Sequence, residues 1–131
     1  MTRQAMNSCP CGSGESLDRC CGPLLAGAVP APTAERLMRS RYVAYALGLE
    51  PYLLTTWHAS TRPANLALET EHRPCWIGLA IQRHELQGKD QATVEFVARY
   101  RIGGRASWMR ETSRFVFEDG LWYYVDGDVT E

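Results

Sequence analysis

From Thr33 onward the apolar and polar positions of the chain follow two periods in succession. In "PTAERLMRSRYVAYALGLEPYLLTTWHAST", Leu37, Met38, Tyr42, Tyr45 and Leu49 recur at helical spacing and form one apolar stripe. Thr33 is placed to cap that helix, with Glu35 in the first turn facing the positive end of the dipole. Gly48 weakens the helix near its end, and Pro51 suits the first turn of a second helix presenting Tyr52, Leu53 and Trp57 to the core. The period then falls to two. "CWIGLAIQRHEL" (75–86), "QATVEFVARYRI" (91–102), "SRFVFEDG" (113–120) and "LWYYVDGDV" (121–129) are rich in β-branched and aromatic residues and read as strands. "QGKD", "EDG" and the looser "GGRAS" connect them, so the pattern predicts an antiparallel meander. Helices followed by such a meander make an α+β domain with the helices on one face of a twisted sheet.

Alternation within the strands assigns faces. Val94, Phe96, Ala98, Tyr100 and Ile102 share one side and suit burial. Thr93, Glu95, Val97, Arg99 and Arg101 share the other, which reads equally as a solvated face or the polar lining of a pocket. Near the end of the chain, Trp122, Tyr124 and Asp126 fall on one face, and Asp126-Gly127 reads as a turn.

Before Thr33 neither period is present. Residues 1–22 are poor in large apolar side chains and cannot bury a core alone. Residues 23–32, "PLLAGAVPAP", carry three prolines and read as an ordered connector lying on the body formed by residues 33–131. With 45% apolar and 22% charged residues the composition is that of a globular domain. The net charge of −1 gives no global attraction to nucleic acid or to an anionic membrane. No apolar run reaches the ~20 residues needed to span a bilayer, and the start has no apolar stretch of a secretory signal. A cytoplasmic location is expected.

What the first zone holds instead is sulfur. "CPCGSGESLDRCCG" (9–22) contains Cys9, Cys11, Cys20 and Cys21, four of five cysteines. A bridge between Cys20 and Cys21 would join Cα atoms ~3.8 Å apart, below the ~4.4–6.8 Å usual for disulfides, and Cys9–Cys11 would close a very small ring. Longer bridges such as Cys9–Cys20 are sterically open but disfavoured in a reducing compartment. Four thiolates around one ion make the tetrahedral shell that Zn²⁺ prefers, a closed and therefore structural site. "GSG" (12–14) allows a sharp turn, and Arg19 and Arg3 are the candidates to offset the surplus negative charge. Without metal, residues 1–22 are expected to lose order while the body stays folded. Cys75 reads as a half-buried apolar residue.

The spacing in "CPCGSGESLDRCC" resembles the SEC-C motif, named from the zinc-binding tail of the SecA translocation ATPase, which binds the chaperone SecB. Cys21 stands where that motif often has histidine. "LMRSRYVAYALGLEPYLLTTWH", "WIGLAI", "VEFVARYRIGG" and "ETSRFVFEDGLWYYVDG" together resemble the YchJ family of small bacterial proteins over nearly the whole chain. That resemblance implies a nuclear transport factor 2-like (cystatin-like) fold, a cone of helices on a curved sheet around an internal pocket, and a metal, but no reaction.

Candidate pocket residues are Arg39, Arg41, Tyr42, Tyr45, Trp57, His58, Glu95 and Glu111. Arg41 and Tyr45 could bind an anionic or carbonyl-bearing ligand; equally, Arg41 could close an ion pair with Glu95 or Glu111. His58 could act as a base, or cap the last turn of its helix. His72 and His84 have weaker claims. No nucleophile elbow, phosphate loop or HExxH pattern is present. The leading expectation is a non-catalytic binding or interaction module with a structural zinc, the knuckle docking another protein and the pocket taking a small molecule. The rival is a small isomerase or hydrolase using His58, Glu95 or Glu111. A nucleic-acid partner is disfavoured, because Arg3 and Arg19 are balanced by Glu15 and Asp18.

Overall fold

The computed structural model describes residues 8–66, 68 and 74–130. Arg3 and His72 lie outside them. A 3₁₀ turn (Leu17–Arg19) leads into a short helix α1 (Gly22–Leu25), followed by α2 (Ala34–Leu47), α3 (Glu50–Thr55) and four strands: β1 (Cys75–Leu86), β2 (Gln91–Ile102), β3 (Arg105–Glu118) and β4 (Leu121–Thr130). The strands form one antiparallel sheet in the order β1-β2-β3-β4, the meander that the alternation implies.

Thr33 does cap α2: its Oγ1 accepts from Arg36 N at 3.1 Å. The helix is buried more widely than its apolar stripe indicates, with Ala34, Leu37, Met38, Ser40, Arg41, Tyr42, Val43 and Ala44 all enclosed. It is covered from several sides: by the sheet, by the cysteine knuckle and by α3. Against α3, Ser40 Oγ meets Tyr52 OH at 2.6 Å. Leu49 and Tyr45 are only half-buried.

Ala92, Val94, Phe96 and Ala98 of β2, Phe115 of β3 and Trp122 of β4 form the sheet's side of the core. Beyond them burial fades, and Ile102 is exposed. There β3 begins at Arg105, eight residues earlier than its apolar run, and pairs with β2 in unbroken register from Ile102↔Arg105 to Gln91↔Val116. Residues 105–112 lack the β signature because little covers them. The turn at Gly103–Gly104 is correspondingly tighter than a "GGRAS" loop.

In β4 the register slips between Arg114↔Asp126 and Phe115↔Tyr124, leaving Val125 as an extra residue. Such a bulge exchanges the faces of everything beyond it. Trp122 and Tyr124 therefore face the core, while Asp126 is turned to solvent, contrary to the simple alternation. Nor is Asp126-Gly127 a turn; both lie within the strand.

Candidate functional site

The knuckle is assembled by backbone turns. Cys9 N donates to Glu15 O (2.9 Å) and Gly12 N to Cys9 O (3.1 Å), doubling the chain back after Cys11. Gly12 sits at φ +81°, a region where side chains are strained, with the Leu79 carbonyl close by. The 3₁₀ turn, closed by Cys20 N to Leu17 O (3.1 Å), then returns Cys20 and Cys21 toward the first pair. The four Sγ atoms all lie within 4.8 Å of one another. Cys11 and Cys20 sulfurs are 3.6 Å apart, and those of Cys20 and Cys21 3.9 Å. Sulfurs bound ~2.3 Å from a tetrahedral centre stand about 3.8 Å from each other, so the spacing fits. All four are buried and none is in a disulfide. The group could hold a metal ion.

Four buried thiols cannot all ionise without a cation. The hydrogen bond from Cys21 pushes Cys11 down to about 4, whereas that same bond and burial push Cys21 up, and burial pushes Cys9 up. The basic support comes from α2 and not from the exposed Arg19. Arg39 donates from NH1 to Cys11 O (3.0 Å) and lies 3.8 Å from Cys11 Sγ, while Arg36 NH2 donates to Cys20 O (3.2 Å). Burial opposes the charge on Arg39, but its bonds to Cys11 and Glu35 outweigh that and raise its pKa. Ser13 Oγ sits 3.1 Å from Cys20 Sγ.

A cavity of about 260 Å³ lies between α2 and the sheet, lined among others by Arg41, Tyr45, Trp76, Met109, Glu111 and Tyr124. Tyr42 also lines it, buried and edge-on to Trp76 at 6.0 Å. Arg41 is 1% exposed, in a core position of α2. Its NH1 donates to Leu53 O (2.8 Å) and Thr56 Oγ1 (2.7 Å), and its guanidinium lies over the rings of Tyr124 (4.5 Å) and Trp57 (5.1 Å). Arg41 forms no ion pair among the described residues; burial lowers its pKa, and the field of Glu111 is among the influences opposing that. Glu111 Oε2 accepts from Ser113 Oγ (2.7 Å) and Tyr124 OH (3.2 Å). A Cβ at Gly127 would overlap this carboxylate, so glycine there is what makes room for it.

The other candidates lie elsewhere. Arg39 cannot share the cavity with Arg41, because two residues turn a helix by about 200°; it serves the cysteines instead. Glu95 is on the outer face of β2, 3.8 Å from Arg110. Trp57 packs edge-on behind Tyr124 at 4.9 Å, and its Nε1 donates to Thr61 Oγ1 at 3.1 Å. His58 lies beyond the end of α3, and its backbone N bonds to Tyr124 O at 2.7 Å. Both ring nitrogens are engaged, Nδ1 with Ser60 Oγ at 2.8 Å and Nε2 with Glu118 Oε1. His84 meets Glu35, 3.8 Å from Nδ1 to Oε1. Cys75 is exposed, not half-buried. Sequence reasoning missed Trp76, Met109 and Tyr124 as lining residues. The inward alternation of β3 through Met109, Glu111, Ser113 and Phe115 was the signal available for Met109.

Among the described residues no helix is long and apolar enough to cross a membrane. The fold and site define a nuclear transport factor 2-like α+β protein with an N-terminal SEC-C cysteine cluster. The family model described as YchJ, middle NTF2-like domain, matches residues 33–127. The chain belongs to the YchJ family. A UPF0225 protein of Chromobacterium violaceum is 57% identical over 129 residues, 95% of each chain. Another from Ralstonia nicotianae is 54% identical over 134 residues, covering 94% of this chain and 92% of that one. The solution structure of a SEC-C motif containing protein from Rhodopseudomonas palustris superposes with a TM-score of 0.81 at 36% identity, over 94% of this chain and 98% of the other. A crystal structure of a SEC-C motif containing protein from Psychrobacter arcticus gives 0.78 at 26% identity, over 98% and 86%.

Proposed function

We propose that this is a cytoplasmic, zinc-stabilised binding protein whose cavity takes a small molecule. Cys9, Cys11, Cys20 and Cys21 hold one Zn²⁺ as a structural rivet, and the chemistry the ion supplies is charge neutralisation of four thiolates. The observation that carries the reading is continuity. The cysteines share one apolar core with Met38, Tyr42, Phe96 and Ala98, and those four residues also form walls of the cavity. An ion there fixes the wall of a pocket. A protein partner of the knuckle would meet its exposed outer turn, Gly12–Glu15.

Protein purified under reducing conditions should contain one zinc per chain by elemental analysis, and Cys20→Ser should lose it. Wild-type protein recovered folded with no zinc, and unable to take it up, would refute the rivet.

A further inference from the structure

The cavity described above has a composition that selects among ligands. Its walls are mainly rings and thioethers: Tyr42, Tyr45, Trp76, Phe96, Met38 and Met109. At about 260 Å³ it exceeds the roughly 150 Å³ of an apolar cavity that accepts benzene, so one or two fused rings fit. Two formal charges border it, Arg41 and Glu111, and they differ in what they have left to offer.

Arg41 is largely committed. NH1 serves Leu53 O and Thr56 Oγ1, and the guanidinium plane is covered by aromatic rings. Glu111 is half committed. Oε2 takes two donors, whereas Oε1 accepts from none among the described residues. An ionised carboxylate is an acceptor only, so what it lacks is a hydrogen-bond donor. Net charge on a ligand is disfavoured in both directions. A ligand of either sign meets one attracting and one repelling charge here, so its charge gains little against the hydration it gives up on entering.

Resting on the reading of the cavity as a small-molecule site, we infer that its ligand is an uncharged one- or two-ring aromatic carrying a hydroxyl or N–H group, which donates to Glu111 Oε1. Ser113, Tyr124 and Gly127 are positioning residues: two hydrogen bonds and an absent Cβ hold the carboxylate at the wall. The donor is the element of selectivity, because a ligand that covers this half-buried acceptor without offering a donor takes water from it and returns nothing.

The test is calorimetric or NMR titration of the full-length, zinc-loaded protein with 2-naphthol, naphthalene, 2-naphthoate and benzyltrimethylammonium. 2-Naphthol should bind about ten-fold or more tighter than naphthalene, and both charged probes more weakly than 2-naphthol. Glu111→Gln, which keeps the side chain's shape, should reduce the naphthol-to-naphthalene ratio. Val129→Trp, at an exposed lining position, should weaken both probes without unfolding the protein. Equal binding of the two neutral probes, an unchanged ratio in Glu111→Gln, or preference for either charged probe would overturn this inference and leave the small-molecule reading intact. If no probe binds at millimolar concentration, the small-molecule reading itself fails.

Discussion

Gly127 shows how much a single missing carbon controls in this domain. It lies opposite Ser113 on β3, and the Glu111 side chain occupies the space its Cβ would fill. Gly127→Ala should destabilise the protein by about 1–3 kcal/mol, the usual cost of overpacking, measured by urea denaturation. In a Glu111→Ala background the same substitution should cost much less, since the colliding group is gone; additive losses would show that the crowding comes from the backbone instead. One residue either side, Asp126 and Asp128 point the other way and grip Arg114, with Nε to Asp126 Oδ1 at 2.6 Å and NH1 to Asp128 Oδ2 at 3.0 Å. Arg114 lowers the pKa of Asp128 from 3.8, first by hydrogen bonding and then by its charge. A depressed folded value means that the pair's contribution is complete above 3.8 and is lost as pH falls through the lowered value. NMR titration should therefore find Asp128 below 3.8 and rising toward it in Arg114→Gln, while the stability difference between the two proteins closes in acid. An unmoved Asp128 would show that the pair does not persist in solution.

At the scale of elements, local sequence signals decide the structure where one face is buried and one is wet. The cap at Thr33, the end of α2 near Gly48, the proline opening α3 and the β2 face from Val94 to Ala98 are all of this kind. Four close-set cysteines are legible for a similar reason, since few structures other than a metal shell want them together. The misreadings arise where a tertiary neighbour changes the rule. Residues 105–112 are strand because β2 offers twelve residues to pair with, not because they are apolar. The bulge at Val125 is invisible to period-two counting, and it decides that Asp126 faces solvent while Val129 returns to the cavity. Arg41 occupies a core position of α2 only because Leu53 O, Thr56 and two rings are waiting for it. The alternation places Tyr124 only on a face shared with Trp122 and Asp126, although it touches Arg41, Glu111, Trp57 and Phe115. Nothing local announces such a hub.

For the whole molecule, the relation between knuckle and body is the quantity with most consequence. Composition divides the chain at residue 22 and leads to the expectation that chelation disorders the first zone alone. In the folded chain the two zones pack against each other. Cys9, Cys11, Cys20 and Cys21 pack in one cluster with Leu37, Met38, Tyr42 and Val43, and two arginines of α2 are spent on knuckle carbonyls. Were the proposed Zn²⁺ removed, four thiols would be left competing for protons against a buried helix face. A ligand that binds only the folded state adds about 2.7 kcal/mol when present at a hundred times its dissociation constant. For a chain of this size each kcal/mol is worth about 3–6 °C. Chelation should thus lower the melting temperature of the entire domain by on the order of 10 °C in one transition, with amide protection lost in α2 as well as in residues 8–25. Arg39→Leu should move the protein part of the way, releasing the proposed zinc to a chelator about ten-fold more readily, because it removes the guanidinium that donates to Cys11 O and lies 3.8 Å from its sulfur. If chelation loosened residues 8–25 and left both the melting temperature and α2 protection unchanged, the knuckle would be an appendage, and the cavity wall would not depend on it.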